Sequence, residues 1–342
     1  MTLNSDTNKY HDKFKRALTL AIAPDKNVAA VVADILSISK ESAYRRLRGA
    51  SPFSLTEVLL LRERLNISID DLTSNTGQVN FNFKPICKEP QLFEDYLKDI
   101  IHRFKKLAHV KTSNTTNVCE DLPFFRQFGY PALASFKIFY WGQSITQDPY
   151  YRNKKYAPSS IPDHLLELTQ QIHELYTSTD STEIWTQKTI FNTLAQIEYY
   201  ESCGLFKSKK DLIQLYEDII MLINDLEHDA TNKFKTNNLK QGGGKFSLYL
   251  SELSLDNNSI FLETNEPKYI ALGFNSFNSI QSIDPNILDE YKSWLDAMIS
   301  KSISISGQAQ KIRRDFFEKN QSLIHQSMKS KLPHPIFEKI LQ

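Results

Sequence analysis

The sequence predicts a small all-α bundle at the amino end, followed by a larger α+β domain in which helices pack on an antiparallel sheet. Three observations predict it. Apolar residues recur at helical spacing through residues 10–72, in short runs separated by capping residues. A polar, glycine-containing stretch, TSNTGQ at 73–78, then interrupts the pattern. Beyond it, alternating runs at 79–84 and within 246–274 lie among long amphipathic stretches. The chain's 342 residues suit two or three domains. We assign 1–75 to the head and 76–342 to the α+β domain, with a helical subregion at 162–235.

The first helix is expected over 10–22, with Phe14, Ala17, Leu18 and Ala21 on one face and Lys13, Lys15 and Arg16 facing out. Asp25, after Pro24, is placed to cap a second helix starting at Lys26 or Asn27. Val28, Val31, Val32, Ile35 and Leu36 give that helix its apolar face, and Ala29, Ala30 and Ala33 permit a close neighbour. Ser37-Ile38-Ser39 makes a tight turn, with Ile38 as a plug and Ser39 as the N-cap of a third helix from Lys40. In that helix Ala43 and Leu47 are set to bury, leaving Lys40, Ser42, Arg45, Arg46 and Arg48 for water or a partner. Gly49 suits the left-handed residue that closes it. Ser54 and Glu57 form a capping box for a fourth helix to Leu65, with Val58, Leu59, Leu61 and Leu65 available for the core. A second capping signature at 68–71 opens a short last helix carrying Ile69 and Leu72.

The segment LSISKESAYRRLRG at 36–49 is similar to the second and third helices of the lambda-repressor-like (XRE-type) helix-turn-helix regulators. Ala33, Ser37, Ile38 and Ala43 fall where those regulators place a small residue, a turn residue and apolar plugs. Ser37 stands where a glycine is common, and Ala43 is smaller than the usual Val or Ile. The resemblance covers about residues 10–75. The YRRLRG run with Pro52-Phe53-Ser54 also resembles long regulators common in Bacteroidetes, in which such a head precedes a large domain of unassigned role. The resemblance implies that helix 40–48 enters the major groove of double-stranded DNA. Lys40, Ser42, Tyr44 and Arg45 would then meet base edges or nearby phosphates, and Arg46 and Arg48 the backbone. Ser39 sits at the helix start, and Ser54 and Thr56 are candidate backbone contacts at the amino end of the next helix.

In the second domain, Val79 to Lys84 alternates as a strand, Pro90 to Leu107 reads as an amphipathic helix, and Val110 to Val118 as a second strand. Residues 122–142 are dense in Phe, Tyr and Trp; they read as core, the alternative being an aromatic ligand pocket. Residues 147–162 form a loop, and 162–235 three or four helices. Gly242-Gly243-Gly244 lacks the spacing of a phosphate loop and reads as a flexible connector. Runs at 246–255, 259–263 and 269–274 suggest an antiparallel meander. A helix at 287–298, a short strand at 302–306 and a helix at 308–324 follow.

A net charge of +1 gives no global attraction to nucleic acid, so binding has to come from a local patch, and Arg45, Arg46 and Arg48 are the best one. Cys87, Cys119 and Cys203 are isolated, which suggests reduced thiols in a cytoplasm. The amino end has no apolar core of a secretory signal, and no run suits a membrane helix. No metal spacing, nucleophile elbow or dinucleotide fingerprint is present; neither a cofactor nor a metal is expected, and the chain reads as a non-enzyme. The expectation is a DNA-binding transcriptional regulator, a homodimer on two half-sites, whose C-terminal domain dimerises or senses a small-molecule or peptide effector. The rivals are a protein-interaction scaffold using the head, and an enzyme hosted in the C-terminal domain.

Overall fold

The computed structural model describes residues 3–22, 26–65, 67, 69, 79–86, 90–108, 113–236, 242–264 and 268–331. The chain divides into two compact units, Met1–Asn80 and Phe81–Gln342.

In the first unit, α1 spans Leu3–Ala21, α2 Val28–Leu36, α3 Lys40–Leu47 and α4 Leu55–Leu65. Helix α1 begins earlier than residue 10, and Ile22 rather than Ala21 is the buried residue at its end. The cap of α2 is Asn27, whose Oδ1 accepts from the Ala30 amide, so α2 starts later than expected; Asp25 lies outside the described residues. Phe14, Leu18, Val32, Ala43, Leu47 and Leu61 form one core. Ala29 and Ala33, not the larger Val31, sit deepest beside Val32, because their small side chains let α3 approach at the fully buried Ala43. On α4, Leu61 is buried but Leu59 is exposed, together with Leu55 and Leu60. The capping signature at 68–71 and the polar stretch at 73–78 fall mostly or wholly outside the described residues.

The second unit holds one eight-stranded sheet: β1 Asn82–Phe83, β2 Ser113–Cys119, β3 Ser181–Trp185, β4 Phe246–Leu250, β5 Ser259–Thr264, β6 Tyr269–Phe274, β7 Asn278–Ser282 and β8 Ile303–Ser304. Its order is β1-β7-β6-β5-β2-β3-β4-β8. The sheet is mixed, not antiparallel as expected. Strands β2, β3 and β4 run parallel, with Asn117 opposite Glu183 and Glu183 opposite Leu248, while β5, β6, β7 and both edge strands pair antiparallel. The expected meander therefore splits: β5-β6-β7 is one, but β4 crosses to the far side of the sheet. A parallel neighbour needs a long crossover. The intervening helices supply it: α6 Phe124–Gln127, α7 Pro131–Tyr140 and α8 Asp163–Ser178 from β2 to β3, and α9 Phe191–Ser202 and α10 Lys209–Asn232 from β3 to β4.

Strand β3 interrupts the region expected to be wholly helical. Its middle residue is a glutamate, Glu183, which hides the strand's apolar pattern yet is fully buried. Side chains alternate across the sheet. Cys119, Trp185, Phe246, Leu248 and Leu250 face α5 (Pro90–Ala108), α7 to α10 and α12 (Gln310–Lys331). Val118, Ile184, Phe261 and Ile270 face Leu288, Leu295 and Met298 of α11 (Pro285–Lys301). Asp284 caps α11, with Pro285 at its first position. Phe125, Phe128, Phe136, Phe139 and Trp141 of the aromatic-rich region are buried and pack edge-to-face or stacked on other rings, so they form core.

The glycine triplet is pinned. The Gly244 amide donates to the Thr177 carbonyl (2.8 Å) and its own carbonyl accepts from Lys235 (2.9 Å); a Cβ on Gly243 would lie 1.5 Å from the Lys235 carbonyl oxygen. Close backbone approach, not flexibility, accounts for glycine at 243.

Candidate nucleic-acid interface

The α2–α3 turn is built from backbone geometry. Ser37 adopts the left-handed conformation at φ 53°, its amide donating to Asp34 (3.2 Å) while the Ile38 amide reaches Ala33 (3.0 Å). These two bonds close α2 as a Schellman motif, and Ile38 packs against the head core as the plug. Ser39 then starts α3: its Oγ accepts from the Ser42 amide (3.2 Å) and donates to the Ser42 hydroxyl (3.0 Å). At the other end Gly49, at φ 76°, closes α3 in the same way, with its amide on Arg46 and that of Ala50 on Arg45.

This framing settles which side of α3 faces outward. Ala43 and Leu47 point into the core. Helical geometry puts Glu41, Arg45 and Arg48 opposite them, flanked by Lys40 and Tyr44; all five are exposed. Among the described residues, none of Lys40, Arg45 or Arg48 forms an ion pair within the unit. Tyr44 accepts a hydrogen bond from the Asn27 side-chain amide (3.1 Å), joining the amino end of α2 to the outer face of α3. Ser42 is half-buried.

Arg46 differs from its neighbours. Its Nη2 lies 2.7 Å from Glu57 Oε1 and its Nε donates to Glu57 Oε2 (3.1 Å), with Nη1 near the Ser42 carbonyl (3.4 Å). The Glu57 carboxylate also accepts from the Ser54 amide (2.8 Å), and the Ser54 Oγ accepts from the Glu57 amide, completing the capping box. The Arg46 guanidinium, ahead of the Ser54 bonds, holds the Glu57 carboxyl below its ordinary range despite partial burial. Ser54 and Thr56 are exposed at the amino end of α4, but a carboxylate already occupies that end.

Sequence reasoning found the basic residues and missed three others: Glu41 on the outer face, Asn27 bridging to Tyr44, and Glu57 on Arg46. The i, i+4 spacing of Glu41 with Arg45 was the available signal for the first. The other two arise from contacts between helices.

The second unit carries a buried ionic network on the face of β3 that packs against α8 and α10. Arg126 donates from Nε to Glu183 (2.7 Å) and from Nη1 to Asp229 (3.0 Å), with its guanidinium 4.5 Å from the centre of the Phe246 ring. Trp185 donates to the other Glu183 oxygen (2.8 Å). Lys235 donates to the Tyr176 carbonyl (2.6 Å) and to Ser181 (3.0 Å); burial, then the Arg126 charge, lowers its pKa to about 7. His173, whose Nδ1 meets the Phe125 carbonyl, is lowered by burial as well. Cys119 and Cys203 are free thiols, and burial pushes Cys119 up. No described helix is long and apolar enough to cross a membrane.

No curated protein and no solved structure matches the chain. Residues 7–115 match the family model of the BetR domain, a run that extends past the four head helices through α5 into the start of β2. That domain is a helix-turn-helix-like regulator domain of Bacteroidetes, so the first third of this chain is similar to a regulator domain and fits a transcription-regulator-like role in general.

Proposed function

We propose that the chain is a sequence-specific regulator that binds double-stranded DNA with α3 in the major groove, and that it is not an enzyme. The carrying observation is the outer face of α3: Lys40, Arg45 and Arg48 exposed on a short helix held at both ends by left-handed turns. A rigid basic helix of this kind supplies counterion release through its charges and base readout through Arg45 and Tyr44. The likeness to the lambda-repressor-like class is supported by the small residue Ala33, the left-handed turn at Ser37 and the plug Ile38, with Ala43 buried as a smaller plug than usual. The second unit is proposed to hold two heads on two half-sites, and to pass an effector's presence to them; its size supports this reading. A cytoplasmic location fits the free thiols.

Selection of bound sequences from a random duplex pool tests the reading, with the full chain beside Arg45→Ala. A two-part motif lost in the variant supports it. No enrichment with either protein would refute it. The exposed Leu55, Leu59 and Leu60 of α4 would then favour the scaffold reading, in which the head docks a protein.

A further inference from the structure

Three of the four basic residues of 40–48 are exposed, and the fourth, Arg46, is only partly so. Arg46 follows Ala43 by three positions, so it emerges at the margin of the core rather than on the outer face. There it meets Glu57 in a two-pronged pair, both side chains mostly shielded at 21% and 17% exposure. Glu57 at the same time reaches back to the amide of Ser54, the cap of α4. One carboxylate thus fixes the end of α4 and, through Arg46, the rotation of α3 about its own axis. A planar guanidinium on a carboxylate resists rotation in a way a single contact does not.

Resting on the DNA-binding reading, we propose that Arg46 is a positioning residue: it locks α3 onto α4 through Glu57 and makes no contact with DNA, leaving Lys40, Arg45 and Arg48 to meet the duplex. A phosphate reaching Arg46 would have to compete with Glu57 for the guanidinium fork. Glu57 also occupies the Ser54 amide at the amino end of α4, so that amide is not free for a phosphate.

The test measures affinity of the full chain for its selected duplex across a range of salt. The set is wild type, Arg45→Ala, Arg46→Ala, Arg46→Lys, Glu57→Gln and the double Arg46→Ala/Glu57→Gln. Glutamine keeps the capping box and loses the charge. Positioning predicts that Arg46→Ala and Glu57→Gln each weaken binding about fivefold. The double variant would be no weaker than the worse single one. The slope of log affinity against log salt would stay at its wild-type value, whereas Arg45→Ala would reduce it by about 0.9. Arg46→Lys, which keeps the charge and loses the fork, would bind as poorly as Arg46→Ala.

Tighter binding and a steeper slope in Glu57→Gln would overturn the proposal, because an Arg46 freed from Glu57 would then be a phosphate contact. So would wild-type affinity in Arg46→Lys. A wild-type chain that selects no duplex fails the DNA-binding reading itself, a result distinct from either.

Discussion

Ser37 occupies a position where glycine is common in similar turns, and the structure gives the substitution Ser37→Gly a sign and a size. Ser37 sits at φ 53° and ψ 43°. A residue with a Cβ gives up about 1–2 kcal/mol in that region. Glycine removes this strain but loses about 0.5–1 kcal/mol more chain entropy on folding. Taken at the middle of each range, the difference favours glycine by about 0.75 kcal/mol. The Ser37 side chain is exposed, so little else is lost. At that difference the opened fraction of the turn falls about three- to fourfold. Native-state hydrogen exchange on the full chain reads this locally, at the Ile38 amide bonded to Ala33 and the Ala43 amide bonded to Ser39. Both amides are expected to exchange more slowly in Ser37→Gly. Ser37→Val, β-branched at positive φ, is expected to exchange faster than wild type. Unchanged or faster exchange in Ser37→Gly would refute the reasoning, since the left-handed strain would then not be the governing cost.

Two predictions concern the second unit. Arg126→Met leaves the buried Glu183 and Asp229 carboxylates without their shared cation; it is expected to cost about 3–5 kcal/mol, read as a lower urea midpoint of the unit's transition. The folded-state pKa of Lys235, lowered to about 7, lies below its ordinary value, so between roughly pH 7 and 10 the unfolded chain binds the extra proton. Stability from this group therefore rises with pH through pH 7–9 and is lost as pH falls toward 7; Lys235→Met is expected to flatten that slope in urea titrations at pH 7, 8 and 9.

Much of the head was legible because its signals are local. Ser39, Gly49 and the Ser54/Glu57 box act on amides one to three residues away, so their types alone located the ends of α3 and the start of α4. The burial of Ala43 and Leu47 followed from helical spacing. Asn27 was less legible, because Asp25, Lys26 and Asn27 all lie near a plausible start and only the backbone selects among caps. The exposure of Leu59 was not legible at all, since α4 carries five leucines and their pattern marks no single face. In the second unit β6 was read to its ends from its apolar run after the turn residues 265–267, whereas β3 was hidden by Glu183. Charge inside a strand is unreadable without its partner, and Arg126 lies 57 positions earlier in the chain.

The sequence by itself determined the helices of the head, the turn between α2 and α3, the basic character of α3 and the helix-then-sheet order of the whole. These follow from interactions spanning a few residues, which every copy of the pattern carries. Only the tertiary structure decided the rest. It made the centre of the sheet parallel, because strand neighbours are set by where crossover helices return the chain. It took Arg46 away from the other arginines, because Glu57, eleven positions on, reaches it only when α4 folds back against α3. Which cations stay exposed depends on which ones the folded chain has already paired.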